Sequence, residues 1–438
     1  MKKKIAILGS TGSIGRASLN IFQNDLKKFE ITLLSANSNY SLIKKQIKKY
    51  KPKHFIINDI SVFEKIKKNY RKNKVKFYNK FSDFNLKNLK FDITISAIVG
   101  IAGLEPTIQF TNISKKVLLA NKETIICGWH ILEKACKKNK TSVAPIDSEH
   151  FSINELTKNY KDEDIEKIYI TGSGGPFLRK PIKKFKNIKV RDAIKHPNWQ
   201  MGKKISVDSS TMMNKVLEVI EAFKLFPFDK KKYKIVIHPQ SLIHAIVFFK
   251  NGQTKLLYHE TDMKIPIANA IYENKVDIKT LLRKKSSFLK NFDYLKFEPV
   301  DKKKFPIVTL LSKKIYSNSG PIVLNASNEV LVDEFLKNFD HLKFEAVDKK
   351  KFPIVTLLSK KIYNNSGAII LNGSNEVLVN EFLKKQIAFN SIYPYLRRVF
   401  RDKDFKKYAI KRSPNIKEIY KIDIRAREKT LSIIKNKK

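Results

Sequence analysis

The chain has 438 residues, with 88 Lys+Arg against 41 Asp+Glu and a formal net charge of +47. A hydrophobic fraction of 42% and an aromatic fraction of 11% exclude a disordered polyelectrolyte and leave ample chain for buried cores in two or three domains. Two cysteines, Cys127 and Cys136, are too few for a disulfide framework or a Cys-rich zinc module and fit a reducing compartment.

The start, Met1-Lys-Lys-Lys, imitates a signal-peptide n-region, but the apolar run Ile5 to Leu8 stops at Gly9, too short for an h-region. No uninterrupted apolar run reaches the ~18 residues of a membrane span. A cytoplasmic protein with no membrane partner is expected.

Short apolar runs then alternate with amphipathic stretches. Ile5–Leu8, Ile31–Leu34, Phe55–Ile57, Ile93–Ser96 and Val117–Ala120 read as buried parallel strands. Ile14 to Phe22 and Tyr40 to Tyr50 carry helix-spaced apolar residues between them. This alternation predicts an α/β fold whose N-terminal domain is doubly wound. Further on, Ala245–Phe249 and Lys255–His259 flank a loop containing Asn251-Gly252, a hairpin signal, so the middle of the chain reads as α+β.

The last third contains a tandem repeat. Asn291–Lys337 recurs as Asn338–Lys384 with 40 of 47 positions identical, which marks a recent duplication rather than a solenoid. Each copy reads as an extended segment, a helix beginning Phe-Pro-Ile-Val, a Gly turn and a second helix, with Ser327 and Ser374 as candidate N-caps. Residues 401–438 read as a charged helical tail.

The basic residues are mostly Lys, spread along the whole length, with no RNA-binding or zinc-finger signature beside them. Charge alone speaks to association and solubility rather than fold. No nucleic-acid partner is expected, and attraction for phosphorylated small molecules follows as a side effect.

Several motifs carry chemistry. Gly9-Ser-Thr-Gly12-Ser-Ile-Gly15 follows the first strand and opens a helix, the place for a dinucleotide pyrophosphate. No Asp or Glu ends the second strand at Asn37, Ser38 and Asn39, which favours NADP over NAD. Asp147 and Glu149, two apart after the strand-like Ser142 to Pro145, would share one side of an extended segment. They suit Mg²⁺ or Mn²⁺, or else form an exposed acidic loop. Gly172–Pro176 reads as an anion nest or a plain turn. Asn214, Lys215 and Glu218 share one helix face that Ser209 is placed to cap. They make a phosphate site with a third metal ligand, or a solvated face with one ion pair. Trp199 sits in the Pro- and Gly-bounded stretch His196 to Gly202, which reads as a lid.

Together these residues resemble the 1-deoxy-D-xylulose-5-phosphate reductoisomerase family. The matching segments are Gly-Ser-Thr-Gly-Ser-Ile-Gly at 9–15, Ala-Asn-Lys-Glu at 120–123, Asp-Ser-Glu-His at 147–150 and Thr-Gly-Ser-Gly-Gly-Pro-Phe at 171–177. They continue with His-Pro-Asn-Trp-x-Met-Gly at 196–202, Ile-Ser-Val-Asp-Ser at 205–209, Thr-Met-Met-Asn-Lys at 211–215, Ile-His-Pro-Gln-Ser at 237–241 and the later Leu-Asn-Ala-Ser-Asn-Glu.

The resemblance implies rearrangement and NADPH-dependent reduction of deoxyxylulose phosphate to methylerythritol phosphate in the non-mevalonate isoprenoid route. It implies a Rossmann-like NADP-binding domain (1–146) and a catalytic and metal-binding α+β domain (147–290), which the duplicated units (291–384) and a C-terminal helical segment (385–438) follow in this sequence. Asp147, Glu149 and Glu218 would hold Mg²⁺ or Mn²⁺ and act in catalysis with Lys122. Lys122, Ser148, Glu149, Ser173, His196, Ser209, Asn214, Lys215 and Glu218 would bind the phosphorylated sugar. Thr11, Gly12, Ser13, Ile14, Asn37, Ser38, Asn39, Asn121, Glu123 and Gly202 would line the NADPH site. His196, Trp199 and Met201 would form the lid. A homodimer is implied as well.

Two departures stand out. Ser38 occupies a place where the family often has Lys, with Lys44 and Lys45 nearby as substitutes for binding a 2′-phosphate. Removing one repeat leaves 391 residues, the ordinary family length. The alternative reading is therefore a nucleotide-binding pseudoenzyme disrupted by the duplication. The proposed metal, phosphate and lid residues all precede residue 220, outside the repeat, which favours the active enzyme.

Overall fold

The computed structural model describes residues 2–70, 74–85, 89–197, 199, 202–278, 344–358, 366–403, 405 and 413–436. Residues 1–281 and 346–438 form one compact unit; of residues 282–345 only Phe344 and Glu345 are described.

The chain begins with β1 (Lys3–Leu8), α1 (Ser13–Gln23), β2 (Phe29–Ala36), α2 (Tyr40–Tyr50), β3 (His54–Ile57), α3 (Ile60–Asn69) and β4 (Lys76–Tyr78). It continues through β5 (Phe91–Ser96), α4 (Leu104–Thr111), β6 (Ser114–Leu119), α5 (Lys122–Asn139) and β7 (Ser142–Pro145). The seven strands form one parallel sheet in the order β4-β3-β2-β1-β5-β6-β7. Strand β1 lies between β2 and β5, pairing Ile5 with Ile31 on one side and with Ile93 on the other. The order reverses there, and the crevice beyond the carboxyl ends of β1 and β5 is where open α/β sheets take ligands. Ile5, Ile7, Leu34, Ile93 and Ile95 are buried because helices cover both faces of a parallel sheet.

After α6 (Ser148–Thr157) come β8 (Ile165–Gly172), α7 (Val190–Ala193), α8 (Lys203–Ser210), α9 (Met213–Leu225), β9 (Tyr233–Ile237), β10 (Ile243–Phe249), β11 (Thr254–Tyr258) and α10 (Lys264–Tyr272). The second sheet contains the run β11-β10-β8-β9. Strands β10 and β11 form the antiparallel hairpin expected from Asn251-Gly252, with Val247 opposite Lys255. Helices α11 (Gly367–Leu383), α12 (Ile392–Arg401) and α13 (Ile416–Lys435) close the described chain. No described helix is long and apolar enough to cross a membrane.

The described residues 346–358 and 366–384 of the second copy of the repeat are built into the main core. Ile369, Ile370, Leu371, Leu378 and Val379 of α11 are buried with residues of α5, α9, α12 and α13. Each such side chain contributes about 1.5–3 kcal/mol relative to exposure. Helix α11 starts at Gly367, so Ser374 lies buried mid-helix and does not cap it. A turn at Gly367 followed by a helix from Ser374 is thus corrected: the apolar run Ala368–Leu371 favours helix on all sides when all sides are buried. The expected helix from Phe352 is a 3₁₀ turn at Pro353–Leu357 within the described part. Ser327, with all of the first copy, lies outside the described residues.

Candidate active site

Two groups of residues gather at the ends of these elements. The first is the turn from β1 to α1. Gly9 has φ +87°, and a Cβ there would lie 2.5 Å from the Ala97 carbonyl oxygen beyond β5, so only glycine lets the two loops approach this closely. The turn is pinned from below. Gly9 N donates to Ser35 Oγ (3.0 Å), Ser10 Oγ to Gln46 Oε1 (2.7 Å) and Gln46 Nε2 to the Ser10 carbonyl (2.9 Å). Gly12 stands at the N-cap of α1 and offers no side-chain hydrogen bond to it. The first-turn amides of α1 therefore face the crevice without a side-chain cap, a ready anion site.

Thr11, Gly12 and Ile14 are half-buried there, while Ser13, Asn37 and Ser38 are exposed at the crevice edge. Asn39 caps α2 by accepting from Leu42 N at 3.1 Å. Asn121 caps α5 through Thr124 N (2.7 Å) and donates to the Gly100 carbonyl (2.9 Å), tying α5 to the loop after β5. Glu123 is buried 3.5 Å from Lys204 Nζ, and Gly202 is the exposed N-cap of α8.

The second group lies where α6 meets α9. Asp147 is the N-cap of α6 and Glu149 sits in its first turn. The expected extended segment is therefore a helix start, because Asp147 has extended φ/ψ but Ser148 already begins the helix. The two carboxylates still converge, and Glu218 of α9 joins them with ligand atoms mutually within 4.8 Å. Ser209 belongs to α8 and does not cap α9; that place falls to Met212, whose φ of +66° turns the chain between the two helices.

Two lysines neutralise the carboxylates. Lys215 Nζ bonds Glu149 and lies 2.7 Å from Glu218 Oε2. Lys122 Nζ, at the start of α5, lies 2.8 Å from Asp147 Oδ2, 3.2 Å from Glu221 Oε2 and 3.8 Å from Glu218 Oε1. Burial opposes charge on both lysines, but the carboxylates around them prevail and hold both ammoniums above the usual lysine range. Asp147 is held well below the carboxylate range, since Lys122 and His150 outweigh its burial. Burial and the neighbouring Glu149 push Glu218 up to about 8. Ser148 Oγ donates to Glu149 Oε2 at 2.6 Å. Asn214 Nδ2 donates to Glu218, and Asn214 Oδ1 is buried with no partner among the described residues.

A group of polar residues adjoins this cluster. Gly175 has φ +66°, and a Cβ would lie 2.9 Å from the Ser209 carbonyl, so the loop after β8 packs against α8. Gly172 packs on the aliphatic stem of Lys215. Ser173 Oγ lies 3.1 Å from His196 Nε2, and Trp199 N donates to His196 Nδ1 at 3.0 Å. The acceptor role of Nδ1 places the imidazole proton on Nε2, which donates to Ser173. These contacts bring the segments that carry Ser173, His196, Ser209, Asn214 and Lys215 together. Trp199 packs edge-on to His244 with centroids 6.0 Å apart. Met201 of the expected lid lies outside the described residues.

Burial, then the charge on Lys215, lowers His196 to about 4. Its ring is therefore expected to stay neutral from pH 5.5 to 8 in the ligand-free protein, as followed by ¹⁵N-edited NMR of the imidazole. A resonance titrating near the ordinary histidine value would show that the ring is not enclosed beside Lys215.

The motifs above assign no role to several residues around this site. Glu221 and His150 border Asp147, and Asn375 of α11 donates to the buried Asp208 Oδ1 at 2.8 Å. Lys204 pairs with Asp208 at 2.9 Å, and Glu376 pairs with Arg427, which also holds Asp423. A signal for Glu221 was present in its three-residue spacing from Glu218 on one helix face.

Comparison with known proteins adds a family context. A family model described as 1-deoxy-D-xylulose 5-phosphate reductoisomerase matches residues 5–128, and one for that protein's C-terminal domain matches 143–226. A further model, DXP reductoisomerase C-terminal domain, matches twice, at 259–339 and 336–429, once over each copy of the repeat. The 1-deoxy-D-xylulose 5-phosphate reductoisomerase of Pelagibacter ubique is 46% identical over 334 residues, covering 75% of this chain and 85% of that protein. The protein of the same name from Wolbachia pipientis wMel is 40% identical over 337 residues, covering 76% and 85%. Among solved structures, the reductoisomerase from Zymomonas mobilis in complex with NADPH superposes with a TM-score of 0.77 at 27% identity, covering 99% of each chain. A DOX-P reductoisomerase complex with NADPH, fosmidomycin and magnesium gives a TM-score of 0.80 at 27% identity, covering 99% of this chain and 98% of the other.

Proposed function

The chain belongs to the 1-deoxy-D-xylulose 5-phosphate reductoisomerase family, and on that premise we propose how its residues divide the work. It converts 1-deoxy-D-xylulose 5-phosphate to 2-C-methyl-D-erythritol 4-phosphate with NADPH and a divalent metal ion. The observation that carries this reading is the trio Asp147, Glu149 and Glu218, whose ligand atoms lie within 4.8 Å of one another beside the Ser173–His196–Lys215 group.

The donor set fits Mg²⁺ or Mn²⁺, because three carboxylates, two from the start of α6 and one from the middle of α9, offer hard oxygen ligands. When bound there, the metal supplies Lewis-acid polarisation of substrate oxygens. The protein's own residues do the rest. Lys215, Asn214, Ser209, Ser173 and His196 hold the phosphate, and Asn214 Oδ1, which has no partner among the described residues, is available to a substrate hydroxyl. Ser148 steers Glu149, and Lys122 presents its ammonium to the substrate oxygens near Asp147. Trp199, with His196 and Met201, excludes water from the aldehyde before hydride transfer.

The crevice at Gly9 fits the NADPH pyrophosphate, with Thr11, Gly12, Ser13 and Ile14 along the helix start. Asn37, Ser38 and Asn39, at the end of β2, would meet the ribose, and Asn121, Glu123 and Gly202 would also contact the cofactor. In this assignment residues 1–146 bind NADPH, 147–290 hold the chemistry, 291–384 are the duplicated units and 385–438 form the closing helical segment. A homodimer in the cytoplasm accords with the family resemblance and with two free cysteines; sedimentation of the purified chain tests the former.

The deciding experiment is NADPH oxidation with deoxyxylulose phosphate, with and without Mg²⁺ or Mn²⁺. Metal-dependent formation of methylerythritol phosphate supports the reading. Nucleotide binding without turnover would indicate a pseudoenzyme instead.

Two further results are expected. Gly9→Ala imposes backbone strain of about 1–3 kcal/mol besides the contact with Ala97, so NADPH binding should weaken about 10- to 100-fold in a fluorescence titration. Metal binding requires Glu218 ionised, and its carboxyl stands near 8 in the metal-free protein. Metal affinity should therefore rise with pH, by at most about tenfold per unit, and level off above that value. Calorimetry in buffers of different ionisation heat should detect the released proton.

A further inference from the structure

Lys122 has more carboxylate partners than the proposed chemistry assigns it. Its ammonium lies 2.8 Å from Asp147 Oδ2 and 3.2 Å from Glu221 Oε2. Only 8% of the residue is exposed, so the ammonium cannot turn into solvent without leaving the site. A divalent ion on Asp147, Glu149 and Glu218 must take the place of the lysine charges that neutralise them now. Lys215 then gives up Glu149 and Glu218, which the arriving phosphate offsets. Lys122 gives up Asp147 and the more distant Glu218, which leaves Glu221 as its remaining carboxylate neighbour.

Glu221 is placed to meet that need. It stands three residues after Glu218 on α9, is 2% exposed, and lies outside the trio that faces the metal. His150 Nδ1 lies 3.6 Å from Glu221 Oε2 and 3.7 Å from Asp147 Oδ2, while its Nε2 sits 2.9 Å from the Glu218 carbonyl. The ring therefore spaces the Glu221 carboxylate from Asp147 and ties α6 to α9. Asp147, His150 and Glu221 also have ligand atoms within 4.8 Å of one another, but Lys122 Nζ already lies against two of the three.

We propose that Glu221 is a positioning residue that retains Lys122 when the metal claims Asp147, so that metal and ammonium occupy the site together. The proposal rests on the reductoisomerase reading and adds to it a residue with no contact to metal or substrate. One site then holds one metal ion.

The test is direct Mn²⁺ binding, read by electron paramagnetic resonance of free Mn²⁺ on the full chain without substrate. Wild-type protein should bind one Mn²⁺. Glu221→Gln should raise the dissociation constant about 10- to 100-fold, the range for groups that support metal ligands. Glu221→Asp, which keeps the charge, should recover part of that loss, and it serves alone if the Gln variant does not fold. In a Lys122→Met background the Glu221→Gln effect should shrink below about threefold, because the coupled partner is gone. In turnover, Glu221→Gln should lower kcat with the KM for NADPH unchanged. Equal Mn²⁺ affinity in wild type and Glu221→Gln overturns the proposal, as does an undiminished effect in the Lys122→Met background. Two Mn²⁺ per chain would make Glu221 a ligand and overturn it too. Failure of the wild type to bind Mn²⁺ would instead sink the reductoisomerase reading beneath it.

Discussion

Asp147→Asn is expected to cut kcat/KM at saturating Mg²⁺ about 1,000-fold, equivalent to ~4 kcal/mol of transition-state stabilisation. The reason is twofold. The variant removes an anionic ligand from a three-carboxylate set, and it leaves Lys122 with Glu221 as its nearest counter-charge. Asp147 is the better probe of the three because its side chain is 27% exposed, whereas that of Glu218 is 1% exposed. Removing a fully buried partner of Lys122 and Lys215 risks the fold itself, since breaking a buried ion pair costs about 3–5 kcal/mol. NADPH affinity should be unchanged, because the Gly9 turn is held by Ser35, Ser10 and Gln46 and not by α6. Steady-state kinetics beside a fluorescence titration of NADPH separate the two. A parallel loss of NADPH binding would mean that Asp147 supports the structure rather than the metal.

Deletions in the repeat should give the second large effect, and the two kinds should differ sharply. Removing residues 291–337 leaves 391 residues and every described contact of α11 in place, so a folded, metal-dependent enzyme is expected. Removing 291–384 takes α11 away with Ile369, Ile370, Leu371, Leu378 and Val379. At about 1.5–3 kcal/mol each, these five alone match a typical total stability of about 5–15 kcal/mol. That chain should not fold cooperatively. Removing 338–384 instead gives a chain that differs from the first deletion at only seven positions. Asn328 and Glu329 would supply what Asn375 and Glu376 supply now. Ala326 would replace Gly373, where a Cβ lies 2.6 Å from Asp423 Oδ1. Overpacking of about 1–3 kcal/mol is partly offset by about 1 kcal/mol from the better helix propensity of Ala over Gly. A denaturant midpoint slightly below that of the first deletion is expected, with activity retained.

Five of the seven strands of the parallel sheet were legible because each carries a short apolar run, and Tyr40–Tyr50 because its helical period is unbroken; the edge strand β4, Lys76–Tyr78, was missed because three residues with one lysine carry no such run. The hairpin was legible from Asn251-Gly252. The carboxylate cluster was not legible from spacing alone. Glu149 and Glu218 are far apart in sequence, and no local rule brings α6 to α9; the family resemblance joined them. Local rules also misplaced details. Ser374 is a good N-cap residue by type, but tertiary burial extends α11 back to Gly367. Ser209 precedes α9 closely enough to cap it, yet α8 holds it and Met212 makes the turn. His150 stood in a recognised motif without a role, since its part depends on Glu221 reaching it from another helix.

The helix built from the second repeat has a consequence for the gene as well as the fold. Nearly identical blocks in tandem are direct repeats in the coding sequence, where recombination excises one block cleanly. Wherever the crossover falls, the product keeps one complete block, and that block carries the Asn and Glu that face Asp208 and Arg427. Reversion to the shorter allele is thus a single event that leaves these contacts intact.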